Sequence, residues 1–245
     1  GFVTIDEIKD LKGKLPKGTY ALTYGNLPWA FMSLLYGAGG TLENDMDDLT
    51  KDVWRKPMEK LKEAYDAGVI APMDVDGEQA FGSGKAVFAQ LGTWAQGNMS
   101  NTLGADKIAE ANTLQYSADN PVNFFYQCNW MQLKDPHRSA AKSAAAADFV
   151  KYVYEHWMDW SEVGSISPAY RDLNNPEYQK LIQASFTNSK KERDYIKTSN
   201  YLYGGYATAG WGTYNDIVYG NVGLEEGLKT LDLMAQGQIE IQEES

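Results

Sequence analysis

The sequence predicts an α/β fold, because short apolar strands alternate with helices along its 245 residues. The pattern indicates about three or four strands, of which Tyr20–Thr23 and Ala86–Leu91 are the clearest, against at least about eight helices. A chain of this length forms one large domain or two lobes and can bury an ample core. Because the strands are too few for a complete doubly wound domain, we expect a helix-rich structure.

Capping signals and periodicity define the first helices. Thr4-Ile5-Asp6-Glu7 is a capping box, in which Thr4 caps the helix and Glu7 returns the hydrogen bond. The next helix begins near Pro28 and ends at Gly39-Gly40. Apolar residues cover most of its circumference, so we expect it to be deeply packed. A third helix is predicted over Pro57–Ala67, after an irregular or briefly extended segment over Met46–Trp54.

The stretch AFGSGKAVFAQLGTW combines turn and strand signals. A short helix end passes into Gly82 and Gly84, and glycine tolerates the backbone angles that close a tight turn. A buried strand, Ala86–Leu91, follows, and Gly92 then opens a new turn that carries Trp94. Residues at strand ends beside such turns tend to face a cleft, so Trp94 is a candidate binding residue.

The C-terminal half is predicted to be mainly helical. Asn123–Leu133 is rich in aromatic and branched residues and is typical of a strand, whereas Ser139–Trp157 is the clearest helix, with an alanine-rich start. Glu177–Phe186 and Thr213–Tyr219 are also predicted to be helical. The last helix is Leu224–Gln236. Its apolar face is predicted to consist of Leu224, Leu228, Leu231 and Met234.

Composition bounds the class of protein. The 22 basic against 33 acidic residues give a net charge of −11, which disfavours nucleic acid or an anionic membrane as a partner and equally suits a soluble, non-sticking protein. The single cysteine, Cys128, lies in an apolar pattern where a thiol is usually inert, and no intrachain disulfide can form. The first residues show no signal peptide. The 7 Trp and 16 Tyr offer flat apolar faces with polar edges, which suit sugars.

Two enzyme-type signatures are absent from the sequence. Gly82-Ser83-Gly84-Lys85 invites comparison with a phosphate loop, but Gln79 stands where the motif begins with glycine. Ala86 also stands where a metal-binding hydroxyl is needed. The sequence contains no G-x-S-x-G nucleophile elbow. We therefore predict neither nucleotide binding nor acyl transfer from these motifs.

The sequence predicts no metal site and no cofactor. His137 and His156 lie far apart and have neither an HExxH motif nor paired cysteines beside them. Asp45-Met46-Asp47-Asp48 and Asp74-Val75-Asp76-Gly77 are acidic, but neither follows the EF-hand pattern that ends in glutamate. We expect both acidic stretches to be solvated loops.

Several stretches, taken in chain order, carry a family resemblance. They are Thr4–Ile8, Pro28–Gly40, Pro57–Gly68 with KLKEAYDAGVIAP, AFGSGKAVFAQLGTW, Ser139–Tyr154, Gly164–Ala169, and Trp211 onward through EEGLKTLDLMAQGQ. Together they resemble the family 1 extracellular solute-binding proteins, the receptors, mostly for sugars, that feed ABC importers. The resemblance extends over nearly the whole chain.

The resemblance implies a periplasmic-binding-protein-like (class II) α/β fold, with a helix-rich C-terminal lobe and an incomplete N-terminal lobe. Residues 1–121 and 193–245 are expected to form the C-terminal ligand-binding lobe, and residues 122–192 the hinge crossing and a helical remnant of the other lobe. Complete members carry an N-terminal lobe sheet ahead of the region that begins at Thr4 here. We expect a chain that lacks it to bind ligand weakly, because these receptors clamp a ligand between two lobes.

The resemblance also implies the binding residues. Trp29, Trp94 and Trp211 match aromatic residues of the family's cleft, and Asn26 and Tyr206 are candidate readers of sugar hydroxyls. Each of these tryptophans could instead be a core residue, and turn formation would also explain Asn26. The remaining tryptophans are expected to lie in the core or between helices; they are Trp54, Trp130, Trp157 and Trp160.

The implied function is ligand capture for an ABC permease, without catalysis. The expected ligand is a carbohydrate, most simply an oligosaccharide, and the expected protein is a monomer outside the cytoplasmic membrane, in the periplasm or lipid-anchored. One alternative is a carbohydrate-active enzyme that uses the same tryptophans as platforms, which would need two carboxylates flanking the scissile bond. Another is an interaction domain without a small-molecule site, in which all three tryptophans would be buried.

Overall fold

The computed structural model describes residues 1–25, 27–124, 130, 132–164, 174–186, 196–197 and 201–243. Its elements are, in chain order, α1 (Ile5–Lys9), β1 (Tyr20–Tyr24), α2 (Leu27–Gly37), α3 (Leu42–Asp45), α4 (Asp52–Asp66), α5 (Gly77–Gly82), β2 (Ala86–Gln90), α6 (Gln96–Leu103), β3 (Asn123–Phe124), α7 (Ala140–Glu155), α8 (Trp157–Gly164), β4 (Ile196–Lys197), α9 (Tyr201–Ala207), α10 (Trp211–Val218) and α11 (Leu224–Glu243). No helix in these ranges is both long and apolar enough for a membrane span.

A parallel pair of strands lies at the centre of the first half of the chain. β1 pairs with β2 from Tyr20↔Ala86 to Tyr24↔Gln90. Ile70 bridges Leu22 on the opposite side of β1. Both predicted strands are confirmed, but β2 is less buried than predicted. Val87 and Phe88 are exposed, and among the described strands β2 pairs with β1 alone.

The two N-terminal helices form as predicted. Thr4 Oγ1 accepts a hydrogen bond from the Glu7 backbone N–H at 3.2 Å, and the Thr4 backbone N–H donates to Glu7 Oε2 at 2.8 Å, which completes the capping box of α1. In α2, ten of the 11 residues are buried. The exception is Trp29, which is half-buried. The deep packing expected of α2 is therefore confirmed, and one side chain alone departs from it.

The helix α4 begins earlier than predicted, at Asp52 instead of Pro57. Met46–Trp54 is consequently not a single irregular segment, because its last residues are helical. Pro57 lies inside this helix, in its second turn, where it lacks the backbone N–H that would donate to the Val53 carbonyl. Trp54 is placed on the buried face of α4 together with Met58.

The described apolar residues form two separate hydrophobic clusters. The larger one draws its members from α1 to Ile70, from Leu114 to Phe124 and from α9 through α11, with none from α5, β2 or α6. Trp54 is fully buried in it and stacks on Phe31, with ring centroids 5.9 Å apart. The smaller cluster joins Trp157 to the segment around Tyr178, with ring centroids 6.0 Å apart.

The C-terminal helices close over the larger cluster. α10 and α11 follow the predicted helices, and α11 buries Leu228, Leu231 and Ala235. Met234 was predicted to share this face but is exposed. Ala235 lies two full turns beyond Leu228, so the helical period turns Ala235, not Met234, towards the core.

The helix α7 contributes no buried residue to the described structure. The helix follows the predicted span, but none of its residues is buried, and Phe149 and Tyr152 are exposed. Trp130 is 62% exposed, although its ring meets that of Phe149 edge to face at 5.6 Å. The expected core placement of Trp130 and of Trp160, which is also exposed, is wrong for the described structure.

β3 and β4 are each two residues long in the described part of the chain. β3 pairs in parallel with β4, and the Phe124 backbone N–H donates to Ser33 Oγ at 2.9 Å, which ties β3 to α2. The rest of the predicted strand Asn123–Leu133, with Cys128, and most of the Gly164–Ala169 loop lie outside the described residues. The predicted helix Glu177–Phe186 forms two 3₁₀ turns.

Glu110 is a partly buried carboxyl between α6 and β3. Its Oε2 atom is buried without a hydrogen-bond partner, and burial raises the pKa of this carboxyl from 4.5 to about 7. Its backbone carbonyl accepts a hydrogen bond from Ser185 Oγ at 2.8 Å, so the segment is held against the second half of the chain. Ionisation of Glu110 therefore opposes folding.

We expect Glu110 to make stability fall as the pH rises from 4.5 to about 7. In this window the folded state binds more protons than the unfolded state, so the free energy of unfolding decreases with pH. Glu110→Gln should raise Tm above that of the parent at about pH 8, and less so at about pH 4. Glu59→Gln, at an exposed carboxyl of α4, is the control. A gain for Glu110→Gln that is equal at both pH values would contradict the assignment.

Candidate functional site

The carboxyl ends of β1 and β2 meet at one edge of the sheet. The Gly25 backbone N–H, just beyond β1, donates to the Gln90 carbonyl at the end of β2, at 3.1 Å. Trp29 lies in the first turn of α2, which follows β1, and Trp94 lies in the 3₁₀ turn Thr93–Ala95, which follows β2. Because the strands are parallel, both tryptophans lie in segments that leave the same edge of the sheet, where open α/β sheets bind ligands.

Trp211 contacts Trp29 directly. The two indole rings meet edge to face, with centroids 5.9 Å apart and an interplanar angle of 74°. Trp211 is the first residue of α10 and is 40% exposed. Residues that are far apart in sequence therefore form one aromatic pair at the surface.

Packing beneath the pair fixes the two helices that carry it. Phe31 of α2 and Tyr214 of α10 lie fully buried, with ring centroids 5.4 Å apart. The Tyr214 hydroxyl donates to the Ala207 carbonyl at 2.6 Å, which joins α10 to the end of α9. The Trp29–Trp211 pair therefore rests on a rigid base of buried aromatic side chains.

Trp94 is the most exposed of the three tryptophans, at 66%. Its turn is anchored by Ala95, which is buried and donates its backbone N–H to the Gly92 carbonyl at 3.0 Å. The indole ring lies back over Gly92. An exposed aromatic ring on a turn whose next residue is buried can present a flat face to a ligand.

Of the two residues predicted to hydrogen-bond sugar hydroxyls, Tyr206 and Asn26, the structure describes only Tyr206. Tyr206 is half-buried in α9 and meets the ring of Tyr203 edge to face at 6.2 Å. Both tyrosines pack against the larger hydrophobic cluster. Asn26 lies outside the described residues.

Two features beside Trp94 were missed from the sequence. The Gln96 side-chain carbonyl, at the start of α6, is buried without a hydrogen-bond partner. Gly92 was interpreted as a turn glycine, but its φ of −82° and ψ of 161° are ordinary for any residue. Nothing in the sequence predicts that the Gln96 carbonyl is buried, or that Gly92 has ordinary backbone angles and is not a turn glycine.

A polar groove of about 570 Å³ lies between α5 and α6, lined by residues that include Glu78, Asn98 and Thr102. The Asn98 side-chain amide donates to Glu78 Oε2 at 3.5 Å across it. None of the three candidate tryptophans lines this groove. The candidate binding surface is therefore the strand edge with its aromatic rings.

A model of the bacterial extracellular solute-binding proteins matches residues 2–187. The chain belongs to this family. No curated protein sequence matches it. The family resemblance inferred from the sequence motifs is thereby confirmed.

Solved structures of solute-binding proteins share the fold. The cyclic alpha-maltosyl-1,6-maltose binding protein of Arthrobacter globiformis has a TM-score of 0.68 at 16% identity, over 97% of this chain and 64% of its own. UgpB of Mycobacterium tuberculosis, in complex with glycerophosphocholine, has a TM-score of 0.73 at 13% identity, over 99% and 65%. The sugar-binding protein MalE of Xanthomonas citri has a TM-score of 0.71 at 13% identity, over 100% and 67%.

These similarities confirm the predicted periplasmic-binding-protein-like fold. This solute-binding chain spans about two thirds of the length of the structures it matches. The expected incomplete N-terminal lobe agrees with that coverage.

Proposed function

We propose that this solute-binding chain captures a carbohydrate at the carboxyl edge of β1 and β2 for delivery to an ABC permease. The observation that carries the proposal is the Trp29–Trp211 pair: Trp29 is the one residue of α2 that is not buried, and its ring contacts an exposed indole of α10. Tryptophan offers a sugar ring a flat apolar face and a hydrogen-bonding edge. Trp94 would supply a further platform beside the pair.

We assign residues 1–121 and 193–245 to the ligand-binding lobe and residues 122–192 to the crossing and the second lobe. The two hydrophobic clusters support this division, because the larger draws on the first two ranges except for Val122 and Phe124, and the smaller on Trp157 to Ala184. Capture would then end in closure of the lobes about the crossing at β3 and β4. A monomer outside the cytoplasmic membrane, in the periplasm or lipid-anchored, suits this role.

The ligand class is proposed from the aromatic surface. Two of the similar structures described above are sugar-binding proteins by description, whereas UgpB holds glycerophosphocholine. The common feature that the exposed indoles offer is a stacking surface, which favours a ring over a linear solute. We therefore place an oligosaccharide ahead of a linear polyol.

The indole N–H resonances of the chain's 7 Trp provide the test. Titration with mono-, di- and trisaccharides should give saturable shifts of the Trp29, Trp94 and Trp211 signals, assigned by single substitution, while the buried Trp54 signal stays fixed. A linear polyol of similar size is the matched control ligand. If no sugar of the panel moves any of the three signals, the proposal is wrong. Release of shortened sugars during the titration would favour the enzyme alternative.

A further inference from the structure

Gly92 has no backbone reason to be glycine. Its φ of −82° and ψ of 161° are extended angles that any residue adopts. Gly84, which precedes β2, has by contrast a φ of +72°, in the left-handed region that favours glycine. A side chain at position 92 would therefore act through its surroundings and not through backbone strain.

Those surroundings are the indole of Trp94. A Cβ atom built on Gly92 would lie closer than 3.0 Å to three atoms of the six-membered ring, Cζ3, Cη2 and Cε3. Real Cβ atoms essentially never show such contacts, so an alanine and this ring position exclude each other. The clashing atoms are the far end of a mostly exposed side chain. The ring, not the backbone, would move.

We propose that Gly92 is a positioning residue that sets the orientation of the Trp94 indole through its missing Cβ. The inference rests on the proposed function, because Trp94 would be a sugar platform. The ring lies against the Gly92 backbone, in the place that a Cβ would take, and the side chain remains 66% exposed. A side chain ordered in advance loses less conformational entropy on binding.

The test compares Gly92→Ala with Gly212→Ala. Gly212 adjoins Trp211, and a Cβ added there meets nothing within 4 Å. In the ligand-free chain, Gly92→Ala should shift the Trp94 indole resonance and increase quenching of its fluorescence by acrylamide, with Tm unchanged. Gly212→Ala should leave the Trp94 signal in place. Sugar affinity should fall about threefold to tenfold for Gly92→Ala and remain unchanged for Gly212→Ala.

A Trp94→Ala background separates positioning from a structural role. There, adding Gly92→Ala should cause no further loss of affinity, because no ring remains to displace. If Gly92→Ala unfolds the chain while the double variant folds, the contact is structural and the inference is overturned. An unmoved Trp94 resonance in Gly92→Ala also overturns it, even where sugar binding stands. If no sugar binds the parent chain but the resonance moves, the proposed function fails and the ring-orienting role of Gly92 remains.

Discussion

Trp54→Ala is expected to lower the free energy of unfolding by about 3–5 kcal/mol, the range for a large aromatic side chain removed from a core. Trp54 is fully buried and stacks on Phe31. Its indole N–H also donates to the Asp45 carbonyl at 2.8 Å, so the substitution removes a hydrogen bond as well as apolar contacts. Denaturant-induced unfolding measured by circular dichroism checks the value.

Trp94→Ala is the matched control for this stability measurement. It makes the same substitution at a tryptophan that is mostly exposed, so we expect a change within about 0.5 kcal/mol. Comparable losses in the two variants would show that Trp54 does not lie in the principal core. The control also establishes whether the Trp94→Ala background folds normally.

Trp211→Ala is expected to weaken sugar binding about 10- to 100-fold, the loss typical of an aromatic residue that dominates an interface. Its exposed ring contacts Trp29 and contributes one side of the proposed platform. Trp160→Ala removes another exposed indole outside the site and should leave affinity unchanged. Isothermal titration with the tightest sugar of the panel measures both.

The edge-to-face contact between Trp29 and Trp211 predicts that their effects are not additive. In a double-mutant cycle, the loss caused by Trp29→Ala together with Trp211→Ala should differ from the sum of the single losses by at least about 0.5 kcal/mol. Strict additivity, or equal losses in Trp160→Ala and Trp211→Ala, would argue against a shared platform.

The parts of the fold that could be predicted are those in which a single local signal, such as a capping motif or an apolar helix surface, determines the structure. The capping box of α1 and the apolar circumference of α2 each specify a local structure and its burial, and both form as predicted. The burial of β2 could not be predicted, because an apolar run is the same whether a strand is central or at an edge. Val87 and Phe88 are exposed, and whether other elements cover the faces of a strand is decided by tertiary packing.

The burial of the tryptophan side chains also could not be predicted from the sequence. Trp54 and Trp130 are chemically identical and were both expected to pack, but one is fully buried and the other 62% exposed. Sequence reasoning assigned Trp29 and Trp211 separately, and their contact follows only from the packing of Phe31 on Tyr214 beneath them. A glycine such as Gly92 predicts a turn, whereas its steric relation to the Trp94 ring arises only in the folded chain.

The register of the parallel pair has a consequence for how the binding surface comes into being. Tyr20 and Ala86 are neighbours in space but distant along the polypeptide, so their pairing requires closure of a long loop. Helical segments gain their hydrogen bonds locally, whereas such non-local pairings form slowly because entropy is lost before contacts compensate it. A peptide that contains α2 alone, or the turn after β2 alone, would display a tryptophan without a companion. The aromatic platform is thus assembled by long-range folding and belongs to no single segment of the polypeptide.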